Sequence, residues 1–279
     1  MTCNAPINIV KTTDKCSLKC LYFYKYGNSS CTVTNATDQL VINYDGVSDV
    51  LFNSIKYNPV EIRIFKPSIH KFDGAYVDAE MVIVHTGSNG GLFVCIPINV
   101  STSTNASTGT NLLSDLIKNS PEAKKAASLN LQDFNLNYFI PKSSYFSYTG
   151  TRPYGECVSD VMYSYVVFPK NSLLVNKAVI TELGNLIHDS YIPVYDGKCF
   201  WNEKGTTSNG FSGDGNIWID CQPTGEEGEI IYKEQINQSS QTMNMDWIYA
   251  FLNVIIGAIL MYAGVLLLKF VLRLFPDGT

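Results

Sequence analysis

From Val60 to His85 the chain reads V-E-I-R-I-F-K-P-S-I-H-K-F-D-G-A-Y-V-D-A-E-M-V-I-V-H. Two apolar-alternating runs, Val60–Phe65 and Ala79–His85, flank a middle broken by Lys66-Pro67 and Asp73-Gly74. Alternation with period two puts every second side chain on one face of a strand, and Pro and Gly end such runs. The segment therefore predicts a strand, an irregular turn region and a second strand, which restricts the chain to β-dominated folds. Its flanks agree. Short alternating runs at Leu21–Tyr26, Cys31–Thr34, Gln39–Tyr44 and Val50–Ile55, separated by Gly27-Asn28 and Asp45-Gly46, read as a meander rather than βαβ units. Gly91–Val100 and the β-branched, aromatic run Val158–Phe168, closed by Pro169, predict further strands. Helical spacing appears in Asn111–Lys118, through Leu112, Leu113, Leu116 and Ile117. It appears again in Asn176–His188, through Val179, Ile180, Leu183 and Ile187, with Asn176 placed as N-cap. Ser101–Thr110 between them is polar and of low complexity, the composition of a surface loop.

A length of 279 residues accommodates one large all-β domain. The net charge is −5, and the 20 Lys and Arg are scattered, with Lys124-Lys125 the one adjacent pair. A chain without a basic stripe is not expected to bind nucleic acid, and the acidic balance disfavours sulfated glycans. There are 8 cysteines. Cys16-x3-Cys20 is not a zinc-ribbon spacing, and Cys95 and Cys157 lie in strand-like apolar runs that read as buried thiols. Cys3, Cys16, Cys20 and Cys31, and Cys199 with Cys221, are the disulfide candidates. The opening M-T-C-N-A-P-I-N-I lacks the basic start and apolar run of a secretory signal. Sequons at Asn28, Asn35, Asn99, Asn105 and Asn237 carry little weight in a chain this rich in Asn, Ser and Thr. No G-x-S-x-G, H-E-x-x-H, P-loop or dinucleotide fingerprint is present.

Several motifs together resemble the alpha-class carbonic anhydrases. Ala79-Glu80-Met81-Val82-Ile83-Val84-His85 resembles that family's A-E-L-H-L-V-H, and His70 precedes Glu80 by ten residues, as in the family. Ala5-Pro6-Ile7-Asn8-Ile9 resembles its S-P-I-N-I, Asn135–Pro141 its L-L-P approach, and Tyr145–Gly150 its Y-W-T-Y-P-G. The likeness spans roughly residues 5–190 and implies a mainly β domain with a large twisted central sheet and a few short helices. It also implies where zinc would sit, and the three histidine positions fall on Arg63, Phe65 and Val82. Zinc needs converging N, S or O donors and an open position for water, which these side chains do not supply. The threonine that orients the zinc-bound hydroxide has no clear counterpart; Thr151 is the nearest, in a shortened segment. The resemblance thus implies a fold without the activity: no catalytic residue, no metal and no cofactor. His70, Glu80 and Tyr148 match a buried polar cluster behind the metal and are expected to be architectural. Arg63 is expected to fill part of the empty site and to pair with Glu80 or with Glu61, which shares its strand face. His85 is expected to be a satisfied core histidine, and His188 to favour a helix C-terminus.

Residues 1–229 are assigned to this domain and 230–246 to a polar linker. Trp247–Leu268 follows without a charge. At 1.5 Å per residue it extends about 33 Å, enough to cross a bilayer core of about 30 Å. Trp247 and Tyr249 suit one interface, Lys269 and Arg273 the other, and 269–279 form a short tail. Ala250, Gly257 and Gly264, with Asn253 nearby, outline a seam for another membrane helix. An inactive carbonic anhydrase-like domain on a C-terminal anchor, with no leading signal, resembles the envelope proteins of poxviruses and other large DNA viruses. The resemblance implies a virion membrane protein, held in host endomembrane during assembly, whose domain contacts capsid or other virion membrane proteins. Two alternatives remain: a surface module that binds a host receptor or glycan, and a zinc hydrolyase with substitute ligands. Lys269 and Arg273 favour a cytosolic C-terminus, whereas the missing signal favours a tail anchor with the domain in the cytosol.

Overall fold

A computed structural model describes residues 3–206, except 17–18, 89, 102–106, 132 and 157–160. The segments expected as linker and membrane anchor, with Trp247, Tyr249, Asn253, Gly257, Gly264 and Lys269, and Cys157 and Cys221 lie outside the described residues. Among the described residues no helix is long and apolar enough to cross a membrane.

The chain starts with the short β1 (Asn8–Ile9), then the meander β2 (Tyr22–Lys25), β3 (Cys31–Asn35), β4 (Gln39–Asn43) and β5 (Asp49–Phe52). The long β6 (Ile55–Phe65) passes through the small β7 (Lys71–Phe72) and β8 (Ala75–Tyr76) into β9 (Ala79–Gly87), and β10 (Gly90–Val100) turns back along it. After α1 (Thr108–Lys118) come β11 (Ala126–Leu129), a 3-10 turn at Leu136–Tyr138, β12 (Tyr145–Gly150), β13 (Tyr163–Val167), β14 (Leu173–Val175), α2 (Lys177–Leu186) and β15 (Phe200–Asn202). A 12-stranded mixed sheet runs β11-β3-β4-β6-β9-β10-β13-β12-β15, with β5 joining β2 to β6, and β14 beside β10. The pairings of β10 with β13 and β14 are parallel; the other pairs of this sheet are antiparallel. Both long strands of the Val60–His85 segment are therefore central.

Antiparallel sheets often leave one face wet, but here both faces of the centre are covered. Ile62, Ile64, Met81, Ile83, Leu92, Val94 and Ile96 face one core, which α1 closes with Leu113, Leu116 and Ile117 and α2 with Leu183. Phe65, Val82, Val84, Phe93, Cys95, Tyr148 and Tyr165 face a second, smaller core that also takes Ile7 and Ile9 from the N-terminal segment. β9 consequently shows near-continuous burial instead of alternation.

Two boundaries and one short strand differ from the sequence expectation. Helix α1 begins at Thr108 because Ser107 caps it, its Oγ accepting from Thr110 N at 3.1 Å, so the polar loop yields its last residues to the helix. Asn176 caps α2 as expected, accepting from Ala178 N at 3.0 Å. Within the run expected as a strand over Val158–Phe168, the described strand covers Tyr163–Val167, and Val161 and Met162 before it are exposed. β14 was not expected, since three residues are too few for alternation to register.

Cysteine usage also departs from expectation. Cys16 and Cys20 form a disulfide and Cys3 is disulfide-bonded, but Cys31 and Cys199 are buried free thiols. Cys31 faces the helix-covered core, and Cys199 lies in the second core with its Sγ toward Val10 O at 3.8 Å. The sheet separates them, and burial raises the pKa of both thiols. Cys95 is a buried thiol as expected.

His85 points into the helix-covered core. Its Nδ1 lies 3.1 Å from Leu92 O, which can only accept, so Nδ1 carries the proton and Nε2 accepts from Tyr26 OH at 2.7 Å. Tyr22 OH donates in turn to Tyr26 at 2.7 Å. Burial holds the His85 pKa down to about 4 from its ordinary 6.5. Between those values the unfolded chain binds a proton that the folded chain refuses. The stabilising contribution of neutral His85 is thus complete above pH 6.5 and is lost as pH falls toward 4. We expect His85→Gln to remove about 3 kcal/mol of the acid-side slope over that window, measured by urea unfolding at a series of pH values. An unchanged slope in the variant would show that His85 does not titrate on unfolding.

Candidate functional site

The second face of β6 and β9 carries the residues that the resemblance sets against zinc ligands. Their register is fixed by a bulge at Val60, where pairing shifts between Pro59 and Glu61. Proline cannot donate to the ladder and is tolerated at such a bulge. Beyond it Arg63 pairs with Val82 and Phe65 with Glu80, so these side chains share one small area. Val82 is fully buried and Phe65 is 1% exposed.

Arg63 is held from three sides. Its Nε donates to Glu61 Oε1 at 2.7 Å, its Nη1 donates to Gln39 Oε1 at 2.8 Å, and its guanidinium sits 4.3 Å from the Tyr154 ring centroid. Glu61 is therefore its acidic partner; Glu80, the other expected acid, is engaged elsewhere. Tyr154 packs on Phe65 with ring centroids 5.7 Å apart and on Phe93 at 6.0 Å, and Phe93 continues to Tyr163 at 4.9 Å and Tyr165 at 5.1 Å. Aromatic rings and one neutralised arginine thus occupy the area around positions 63, 65 and 82. Burial pushes the Tyr154 hydroxyl up to about 12, against the opposing pull of Arg63.

Behind this plug lies a fully buried polar triad. Glu80 accepts His70 N at 3.0 Å through Oε2, and its Oε1 is 2.7 Å from His70 Nδ1. An acceptor-only carboxylate places the proton on Nδ1, which leaves Nε2 to accept from Tyr148 OH at 2.7 Å. Burial, with Tyr165 adding to it, raises the Tyr148 pKa well above its ordinary value, so the hydroxyl stays a donor. The Tyr148 and Tyr165 rings stack at 4.3 Å, and His70 meets both edge-on. Thr151, the candidate for the family's threonine, is tied elsewhere: its Oγ1 accepts from Asn4 N at 3.0 Å and its N donates to Asn4 Oδ1 at 2.8 Å. His188 is exposed, just beyond α2, and its N donates to Thr37 O at 2.8 Å.

One group of potential metal donors occurs among the described residues: His70, Glu80 and Cys95, with donor atoms within 4.8 Å of one another. Their chemistry fits a metal poorly. His70 Nδ1 and Glu80 Oε1 are 2.7 Å apart, a proton-sharing distance, whereas two donors on one tetrahedral zinc stand about 3.3 Å apart. Burial first, then the charge of Glu80, raises the Cys95 pKa well above its ordinary value, while a metal requires the thiolate. The arrangement is a proton-bridged structural cluster. A hollow of about 410 Å³ opens beside Phe65, lined in part by Asp38, Gln39, Arg152, Tyr154, Ser190 and Tyr195.

Sequence reasoning missed Tyr154, Gln39 and Phe93, and it read Cys95 as a buried thiol without placing it beside His70 and Glu80. The signal for Tyr154 was present in the altered Thr151-Arg152-Pro153-Tyr154 stretch, but only folding brings that loop onto β6. Gln39 gave no signal, because it reaches Arg63 from a neighbouring strand.

The fold is that of an alpha-carbonic anhydrase. The chain is similar to the alpha-carbonic anhydrase of Photobacterium profundum (16% identity, TM-score 0.61, covering 71% of this chain and 88% of that one). It is likewise similar to the alpha-carbonic anhydrase of Thermovibrio ammonificans solved with sulfanilamide (16%, 0.61, 71% and 86%). A third likeness is to dioscorin, solved with ascorbate (19%, 0.55, 73% and 87%). No protein-family description and no curated protein matches the sequence. At these identities the likeness defines a carbonic anhydrase-like fold and leaves activity open.

The triad gives a graded expectation. Glu80→Ala strands a buried imidazole and a backbone N–H and should cost about 3–5 kcal/mol, because breaking a buried pair leaves its partner uncompensated. Tyr148→Phe removes one hydrogen bond and should cost about 1–2 kcal/mol. Urea unfolding of both variants checks the order; a loss below about 1 kcal/mol for Glu80→Ala would be that of a solvated surface pair and would contradict the buried triad.

Proposed function

We propose that this chain is a non-catalytic structural protein of a virion, anchored in its membrane by Trp247–Leu268. Its carbonic anhydrase-like domain acts through contacts with capsid or other virion membrane proteins. The observation that supports this best is the plug. A carbonic anhydrase needs an ion held by converging donor atoms with one coordination position left open. Here Phe65 and Val82 are buried among apolar neighbours, and Arg63 is neutralised by Glu61 beneath the Tyr154 ring. A cation would meet a guanidinium and hydrocarbon. The virion setting and the anchor rest on the sequence resemblance and on the charge-free segment.

Two measurements test the proposal. Metal analysis of the full chain, purified without chelators, should find substoichiometric zinc, and stopped-flow assays should find carbon dioxide hydration at the uncatalysed rate. One zinc per chain together with accelerated hydration would instead establish a hydrolyase with substitute ligands. In purified virions the protein should fractionate with the membrane and cross-link to capsid or membrane proteins. Retention of the full chain on heparin that falls steeply with salt would favour the attachment reading over the structural one.

A further inference from the structure

The structure holds a second concavity, remote in chemistry from the plug. It lies where β1 and β7 approach β12 and β15, with a volume of about 330 Å³. Ile9, Phe72, Phe146, Pro169 and Trp201 form its walls, and Lys11, Thr12, Asp73 and Lys170 its rim. The walls are set by the fold. Ile9 and Phe72 are paired neighbours in the small sheet, and Asp73 N donates to Ile9 O at 3.0 Å. Phe146 and Trp201 are cross-strand partners with ring centroids 4.5 Å apart.

We infer that this cleft binds a small monoanionic amphiphile, an aromatic or short acyl carboxylate. The size matches the lower end of small-molecule sites, about 300–1,000 Å³, and is too small to seat a helix of a protein partner. The walls are aromatic and aliphatic and the polar groups sit at the rim, so sugar hydroxyls pressed against the walls would lose their hydrogen bonds to water. The rim carries two lysines and one aspartate, a local excess of one positive charge on a chain whose net charge is −5. Lys170 Nζ is 3.8 Å from Asp73 Oδ2 with both side chains more than half exposed, a long, solvated pair that leaves the ammonium able to take another partner. Lys11 is exposed and has no ion-pair or hydrogen-bond partner among the described residues. An anionic head at these ammonium groups with its apolar body between Phe72 and Trp201 satisfies both parts of the cleft.

The test uses 4-phenylbutyrate and its neutral analogue 4-phenylbutanamide with the full chain in lipid nanodiscs, read by saturation-transfer NMR against empty nanodiscs. Expected is saturable binding of the acid at one site, weakened about tenfold by Lys11→Gln/Lys170→Gln, with much less change for the amide. Thr12→Trp, which fills the cleft from its rim, should weaken both ligands. Uptake equal to that of empty nanodiscs overturns the inference, as does acid binding that survives either variant unchanged.

Discussion

The antiparallel pairing of β6 with β9 is the interaction on which the remaining architecture depends. Side chains alternate strictly along a strand, so a slip of one residue would turn the faces of one central strand over relative to the other. The bulge at Val60 absorbs the one extra residue and sets the register beyond it. With that register Ile62, Ile64, Met81 and Ile83 enter the helix-covered core, while Glu61, Arg63, Phe65, Glu80 and Val82 go to the opposite face. Every feature of the candidate site follows from this partition. The same register sends His85 into the core opposite to His70, so the two buried histidines never share a site.

The opposite face handles its polar groups in two different ways. Arg63 and Glu61 are still partly solvated, and a guanidinium resting on an aromatic ring loses less on partial burial than a bare ammonium would. His70, Glu80 and Tyr148 are buried in full and survive because each polar atom has a partner at hydrogen-bonding distance. A network of that kind supports the fold whether or not an ion sits in front of it. A buried triad beside an aromatic cluster is therefore coherent: the scaffold needs the hydrogen bonds, and chemistry in front of them is a separate requirement.

Much of the fold was legible in the residues. Alternation located the meander and the long strand pair, and helical spacing located α1 and α2, because these signals are local. Asn176 as a cap was legible for the same reason. The quoted motifs carried the carbonic anhydrase-like fold through Ala5–Ile9, His70, Glu80 and Tyr145–Gly150, each a short window with its own pattern. The disulfide candidates were less legible. Cys31 and Cys199 differ in no local respect from cysteines that pair, and the sheet that separates them is a product of the whole chain.

The sequence by itself determined the β-rich class, the face on which each strand residue falls once register is given, and the absence of three convergent histidines at positions 63, 65 and 82. Tertiary structure alone decided what gathers around those positions. Tyr154 reaches Arg63 and Phe65 from a loop far along the chain, Gln39 reaches Arg63 across a strand boundary, and Glu61 rather than Glu80 becomes the partner of Arg63 because His70 already occupies Glu80. Such choices depend on which groups arrive at the same point in space and on which hydrogen-bonding positions are already filled, and a linear pattern encodes neither.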